Sequence, residues 1–202
     1  MNQKILQFRI ILQGARPPIW RQIQISNTCT FWDLHVAIQD AMGWEDSHLH
    51  QFEVKNPKTG TPEYMGIPEN EGCDECDTLG GWLFKVRDYV CNIKANQKIL
   101  YLYDFGDHWE HSLQFEGEHS REAGVKYPIC LAGERACPPE DVGGIPGYEN
   151  YLEIMQDPLH EEHDEMLEWR GKFNSESFNP QKVRFDNPKK RLTHAFPEKV
   201  VD

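Results

Sequence analysis

Residues 5–25 alternate apolar and polar side chains on both sides of one turn, and this pattern constrains the fold more than any other feature of the chain. Phe8, Ile10 and Leu12 share one face of the first segment, and Ile19, Ile23 and Ile25 share one face of the second. A period of two places such side chains on one side of an extended backbone. Gly14-Ala15-Arg16-Pro17-Pro18 between them is a run of turn formers. The spacing predicts a β-hairpin with one buried face, and a buried face needs a cover. The next segment supplies it. Thr30 reads as a helix N-cap with Asp33 three residues on, an aspartate version of the capping box. Phe31, Leu34, Ile38, Ala41 and Met42 recur at helical spacing until Gly43, a C-terminal stop. Hairpin, then helix, predicts an α+β fold: a mixed or antiparallel sheet with a helix packed on one face, in a β-grasp-like order.

Further along, Leu49–Val54 reads as a third strand and Leu83–Val90 fits either a helix or a strand. Ile99–Tyr103 and Trp109–Phe115 read as a second hairpin around the turn Asp104-Phe105-Gly106-Asp107. The stretch 56–81, rich in Gly, Pro and acids, is expected to be an irregular excursion. A Gly/Pro-rich crossing over 124–147 leads to a C-terminal helical pair. Tyr148, Tyr151, Leu152 and Met155 form the stripe of the first helix. Asp157-Pro158 is expected to cap the second, running from about 158 to 170. The expected organisation is a single domain over 1–180 with a basic, extended and loosely ordered tail over 181–202.

The 202 residues carry a net charge of −12. Residues 104–168 alone carry −14 and residues 169–202 carry +4. Such a balance argues against a broad phosphate-binding surface. No run approaches the ~18 apolar residues of a membrane span, and the N-terminus lacks a secretory h-region. The six cysteines are therefore read as reduced thiols of a cytoplasmic protein.

Four segments carry potential chemistry. The densest is DFGDHWEH, 104–111. On its return strand Trp109, His111 and Leu113 share the apolar face, so His111 is either a core histidine satisfied by one partner or the buried edge of a site. Asp104 and Asp107 at the turn would complete a polar site with Trp109 and His111. The second is PLHEEHDEMLEW, 158–169, in which His160 and His163 lie three apart on the expected helix, with carboxylates nearby. The third is the loop Cys130–Asp141, which could share a metal through Cys137. His111, Cys137, His160 and His163 are thus the candidate ligands of a divalent ion such as zinc. Cys73 and Cys76 form half a zinc knuckle. No P-loop, G-x-S-x-G or Rossmann fingerprint appears.

Taken together, YDFGDHWEH (103–111), YPICLAGERACPPEDVGG (127–144), GYENYL (147–152) and DPLHEEHDEMLEWRGKFNSESFNP (157–180) resemble the plasmid Ri open-reading-frame-three-like family, also described as TnpR-type insertion-sequence passenger proteins. RPPIWRQIQI (16–25) and TFWDLHVAIQDAMGW (30–44) fit the same family. The resemblance implies an α+β fold, a cytoplasmic prokaryotic protein and a mobile-element setting. A serine resolvase would need a nucleophilic serine among arginines and a basic DNA-binding module, which this chain lacks. The expected role is binding or accessory, centred on the DFGDHWEH hairpin. A metal-dependent hydrolase, with His111, His160 and His163 as ligands and Glu161 or Asp107 as base, is the alternative. A DNA-associated mobile-element partner is a third reading, for which only Lys182, Arg184, Lys189, Lys190 and Arg191 could form a basic stripe.

The charge balance predicts that the isolated chain does not bind duplex DNA with submicromolar affinity at physiological salt. A gel-shift titration showing such affinity, with a steep salt slope, would contradict it.

Overall fold

The computed structural model describes residues 4–68, 78–90 and 98–196. Cys73, Cys76 and Cys91 fall outside them. The elements in chain order are β1 (Lys4–Leu12), β2 (Ile19–Ser26), α1 (Phe31–Met42), β3 (His50–Lys55), β4 (Pro62–Gly66), β5 (Thr78–Gly80), α2 (Val86–Val90), β6 (Ile99–Tyr103), β7 (Trp109–Ser120), β8 (Ile129–Glu134), α3 (Gly144–Gln156), α4 (His163–Arg170) and α5 (Pro188–Ala195), with a 3-10 turn at Pro180–Lys182 before α5. This is an α+β fold on one mixed eight-stranded sheet, ordered β5-β4-β3-β6-β7-β1-β2-β8, with helices at the C-terminus. Among the described residues no helix is long and apolar enough to cross a membrane.

The hairpin–helix start forms for the reasons given by the sequence. In β2 buried and half-buried residues alternate strictly. Thr30 Oγ1 accepts from the Asp33 amide while Asp33 Oδ2 accepts from the Thr30 amide, closing the capping box, and Gly43 ends α1 at φ 95°. The helix buries Phe31, Leu34, Ala37, Ile38 and Ala41 in one core with Phe8, Ile10, Ile23 and Phe52 of the sheet. The N-terminal hairpin joins the later one through antiparallel β1–β7 pairing. That register slips by one residue, Gln7 facing Gly117 and Phe8 facing Phe115. Glu116 is the extra residue, and it gathers the side chains of Gln7, Arg9 and Gln22. Gly117 absorbs the bulge at φ 137°.

Several local expectations change. The excursion 56–81 contains strand β4, paired with β3, and the short edge strand β5 beside it. Strand β8 lies in the 124–147 crossing and pairs with β2. The second helix of the C-terminal pair, α4, begins at His163, not Pro158. The reason is local: Asp157 Oδ1 accepts from the Leu159 amide and His160 Nδ1 from the Glu162 amide. Both side chains close turns that compete with helix start. Of the expected tail, the 3-10 turn at Pro180–Lys182 lies against β8 and α5 lies against α1. Arg191 of α5 bonds Asp40 at 2.8 Å and Asp186 at 2.5 Å, and reaches Asp46 at 3.4 Å. Trp32 Nε1 donates to the Pro188 carbonyl, and Phe196 meets Trp32 and Trp82.

Below this clamp the His35 and His50 rings stack at 3.5 Å and 8°. His35 bonds Tyr101 and Asp46 through its two nitrogens. Burial pushes both imidazoles well below the usual histidine range, with Arg191 adding to the effect at His35 and His35 itself adding at His50. His111 on β7 is likewise pushed down to about 4, chiefly by burial. All three are neutral at pH 7, whereas an unfolded chain protonates its histidines near pH 6.5. The fold keeps this contribution above about pH 6.5 and loses it as pH falls toward 4. From His111 alone the loss at pH 5 is on the order of 2 kcal/mol. Urea titrations at pH 7 and pH 5 should show that fall, and His111→Gln should make it smaller.

Candidate metal centre

Three segments meet at one end of the sheet: residues 44–49 between α1 and β3, the β6–β7 turn 104–108, and the loop 137–143 before α3. Glu140 stitches them. Its Oε1 accepts from the Tyr103 hydroxyl at 2.6 Å and from the Glu45 amide at 3.0 Å. The Tyr103 oxygen accepts in turn from the Ser47 amide. Burial and the neighbouring Glu140 carboxylate raise the Tyr103 pKa far above the ordinary phenol value, so it stays a hydrogen-bond donor. Trp44 Nε1 donates to the Pro138 carbonyl, and the Asp104 amide to that of Leu49. On the turn side Asp107 Oδ2 accepts from the Gly143 amide. Gly144, at φ 67°, lies so close that a Cβ there would overlap the Asp107 carbonyl oxygen.

The side chains left facing one another are His48, Asp104 and Asp141, with one ligand atom from each within 4.8 Å of the others. His48 Nε2 is 3.0 Å from Asp141 Oδ1 and 3.7 Å from Asp104 Oδ2. Asp104 is buried, His48 half-buried and Asp141 exposed, so the group opens on one side. Asp104 Oδ1 accepts from the Gly106 amide, which orients the carboxylate and leaves Oδ2 toward His48. Asp104, His108 and Asp141 have φ of 56°, 58° and 59°. Asp46 of the 44–49 segment adds a fourth at φ 62°; non-glycine residues adopt this backbone rarely and at a cost, and here two of the four are members of the group.

Asp104 and Asp107 of the sequence-derived site therefore face the 137–143 loop. Trp109 and His111 are wholly buried in the core. His111 Nδ1 bonds the Trp109 carbonyl, and its ring is covered by Trp44 at 5.2 Å and Tyr101 at 5.4 Å. Cys137 is a half-buried free thiol that burial keeps protonated, though the nearby Arg21 guanidinium pulls the other way. His160 stands in the turn before α4 and His163 at its start, so they do not share a helical face. Among the described residues, the structure brings no metal-sized group together from His111, Cys137, His160 and His163; the one such group is His48–Asp104–Asp141. His48 and Asp141 carry no spacing signal in the sequence, because their proximity is made by tertiary pairing.

The model of the plasmid pRiA4b ORF-3-like family matches residues 4–182. The chain belongs to this family. It is 34% identical over 178 residues to the "uncharacterized protein y4hQ" of Sinorhizobium fredii, covering 88% of this chain and 86% of that one. It is 41% identical to a protein of unknown function, MM3350, from Methanosarcina mazei Go1. That crystal structure superposes with a TM-score of 0.82, over 92% of this chain and 100% of the other. The family match spans the whole end of the sheet that carries His48, Asp104 and Asp141 and stops before α5.

Gly144→Ala should strain the 140–147 loop against the β6–β7 turn and cost about 2 kcal/mol or more, since both the positive φ and the close approach oppose a side chain. Denaturant unfolding checks this; an unchanged midpoint would show that the loop does not need the close approach.

Proposed function

We propose that this pRiA4b ORF-3-like protein is a binding protein whose site at the DFGDHWEH turn holds a divalent ion, zinc by preference, through His48, Asp104 and Asp141. One observation carries the reading. Ligand atoms about 2 Å from a tetrahedral zinc lie roughly 3.3 Å apart, and the His48 Nε2 separations of 3.0 and 3.7 Å bracket that value. One imidazole and two carboxylates suit zinc, with manganese as the natural competitor. The strained backbone at Asp104 and Asp141 supports the reading, because such strain persists where surrounding structure holds a functional geometry. A cytoplasmic setting fits the free thiols of Cys29, Cys130 and Cys137.

Metal-assisted hydrolysis is the second reading, favoured by the exposed Asp141 side. Three protein ligands with a solvent-facing position leave room for a water or substrate, as catalytic zinc sites do. The DNA-partner reading draws less support, since Arg191, one of the five basic residues it needs, is engaged with Asp40, Asp46 and Asp186.

Protein purified without an affinity tag and stripped with chelator should take up one equivalent of zinc in calorimetric titration. Asp104→Asn or His48→Ala should weaken binding by more than the about 10- to 100-fold typical of an outer-shell change. His119→Ala, on the exposed end of β7, should bind normally. Stoichiometric binding that survives both ligand variants would remove this site from consideration.

A further inference from the structure

The segment 44–49, which carries His48, is held from two directions. At the sheet end, Trp44 Nε1 donates to the Pro138 carbonyl, the Glu45 amide to Glu140 and the Ser47 amide to the Tyr103 oxygen. The Leu49 carbonyl accepts from the Asp104 amide. The second direction is set by Asp46, whose Oδ1 accepts from His35 Nε2 at 2.7 Å and whose Oδ2 meets Arg191 Nη1 at 3.4 Å. Trp44, Glu45, Asp46, Ser47 and Leu49 are thus each tied to another element, and His48 among them presents its imidazole to Asp104 and Asp141.

The hold on Asp46 comes from the core and from the C-terminal helix. A carboxylate only accepts, so His35 Nε2 carries the proton and Nδ1 accepts from the Tyr101 hydroxyl, whose oxygen accepts in turn from Gln39 Nε2. His35, Gln39 and Tyr101 are wholly buried, and this chain of bonds fixes the His35 ring. Arg191 of α5 spans Asp40, Asp46 and Asp186. Its side chain is 21% exposed and that of Asp46 13%, so the pair is largely withdrawn from water, where charge-assisted bonds are strongest. Asp46 also holds φ 62°, two residues before His48. A residue in that region stays there only where its surroundings hold it.

We propose that Asp46 positions His48 for the metal group, and that Arg191, acting through Asp46, makes α5 a brace that sets metal affinity. The proposal rests on the metal reading above. Asp46 is a positioning residue: it is not one of the three ligands, and it governs where the backbone that carries His48 runs. Metal–ligand distances are held to about 0.2 Å, so a small drift of the segment weakens the His48 bond while Asp104 and Asp141 stay in place. The brace comes from outside residues 4–182, the part of the chain that the family model matches.

The test uses the full chain, with zinc alone as the metal probe in calorimetry and with amide hydrogen exchange followed in excess chelator. Arg191→Met and Asp46→Ala should each weaken zinc binding about 10- to 100-fold at unchanged stoichiometry. Both should speed exchange at the Glu45 and Ser47 amides and leave β1 and β7 at the native rate. Conservative variants should recover part of the loss. Asp46→Asn keeps an oxygen for His35 and tolerates the left-handed backbone, and Arg191→Lys keeps the charge without the fork that spans three carboxylates. Lys190→Met, at an exposed position of α5, should bind zinc as the native chain does. Unaltered affinity in either Arg191→Met or Asp46→Ala, no recovery in the conservative variants, an equal loss in Lys190→Met, or exchange that quickens throughout the sheet would overturn the proposal and leave the metal reading standing. A native chain that takes up no zinc would overturn both.

Discussion

The structure hangs on the antiparallel pairing of β1 with β7. Strand β1 is bonded on both sides, to β2 along Ile5–Leu12 and to β7 along Lys4–Leu12. Without the β7 side, the ribbon β8-β2-β1 and the ribbon β5-β4-β3-β6-β7 would be separate sheets, each with an open edge and half a core. With it, Phe8 and Ile10 stand beside Phe115 and Leu113 in one continuous surface that α1 covers. The one-residue bulge at Glu116 adjusts the register while leaving Leu12 opposite His111. That keeps His111 and Trp109 on the core side.

The same pairing places the β6–β7 turn at the end of the sheet where the chain leaves α1 toward β3. Three segments arrive there, and Glu140 of one of them ties the loop to the Glu45 amide and the Tyr103 hydroxyl at once. A buried or half-buried carboxylate with such partners fixes a loop more firmly than apolar packing, because losing one partner leaves a costly orphan. Glu140 therefore anchors the loop and holds Asp141, next in the chain, at the exposed side of the His48–Asp104–Asp141 group. The Arg191 clamp at the other side of α1 is organised differently. It lies beyond the family match and ties the C-terminal segment to Asp40 and Asp46.

The parts of the fold legible in the sequence are those whose cause is local. Alternation in β1 and β2, the Thr30–Asp33 capping box and the Gly43 stop act over a few residues, and α1 spans Phe31–Met42 as its spacing requires. Reading His111 as inward-facing needed only the strand period. Reading Asp157 as a helix cap did not succeed, because an Asx turn to Leu159 uses the same atoms as an N-cap and sequence does not say which wins. Strand β4 and the edge strand β5 were illegible because short strands at the margin of a sheet need little hydrophobic alternation when a neighbour supplies the ladder. At the site, Asp104 and Asp107 could be named from a turn at a strand end. His48 could not, since it precedes a strand in a segment with no periodicity of its own.

What the sequence by itself determined, then, is the α+β class, the hairpin–helix nucleus, the acidic character of the surface and the inward direction of Trp109 and His111. Each follows from side-chain period, capping chemistry or charge, which are properties of neighbours along the chain. Tertiary pairing alone makes His48, Asp104 and Asp141 share one small volume and lets Arg191 close over the stacked His35 and His50. Those arrangements join residues from different strands, turns and helices. Their energetics lie in sheet register and loop anchoring, and neither leaves a spacing that a single sequence displays.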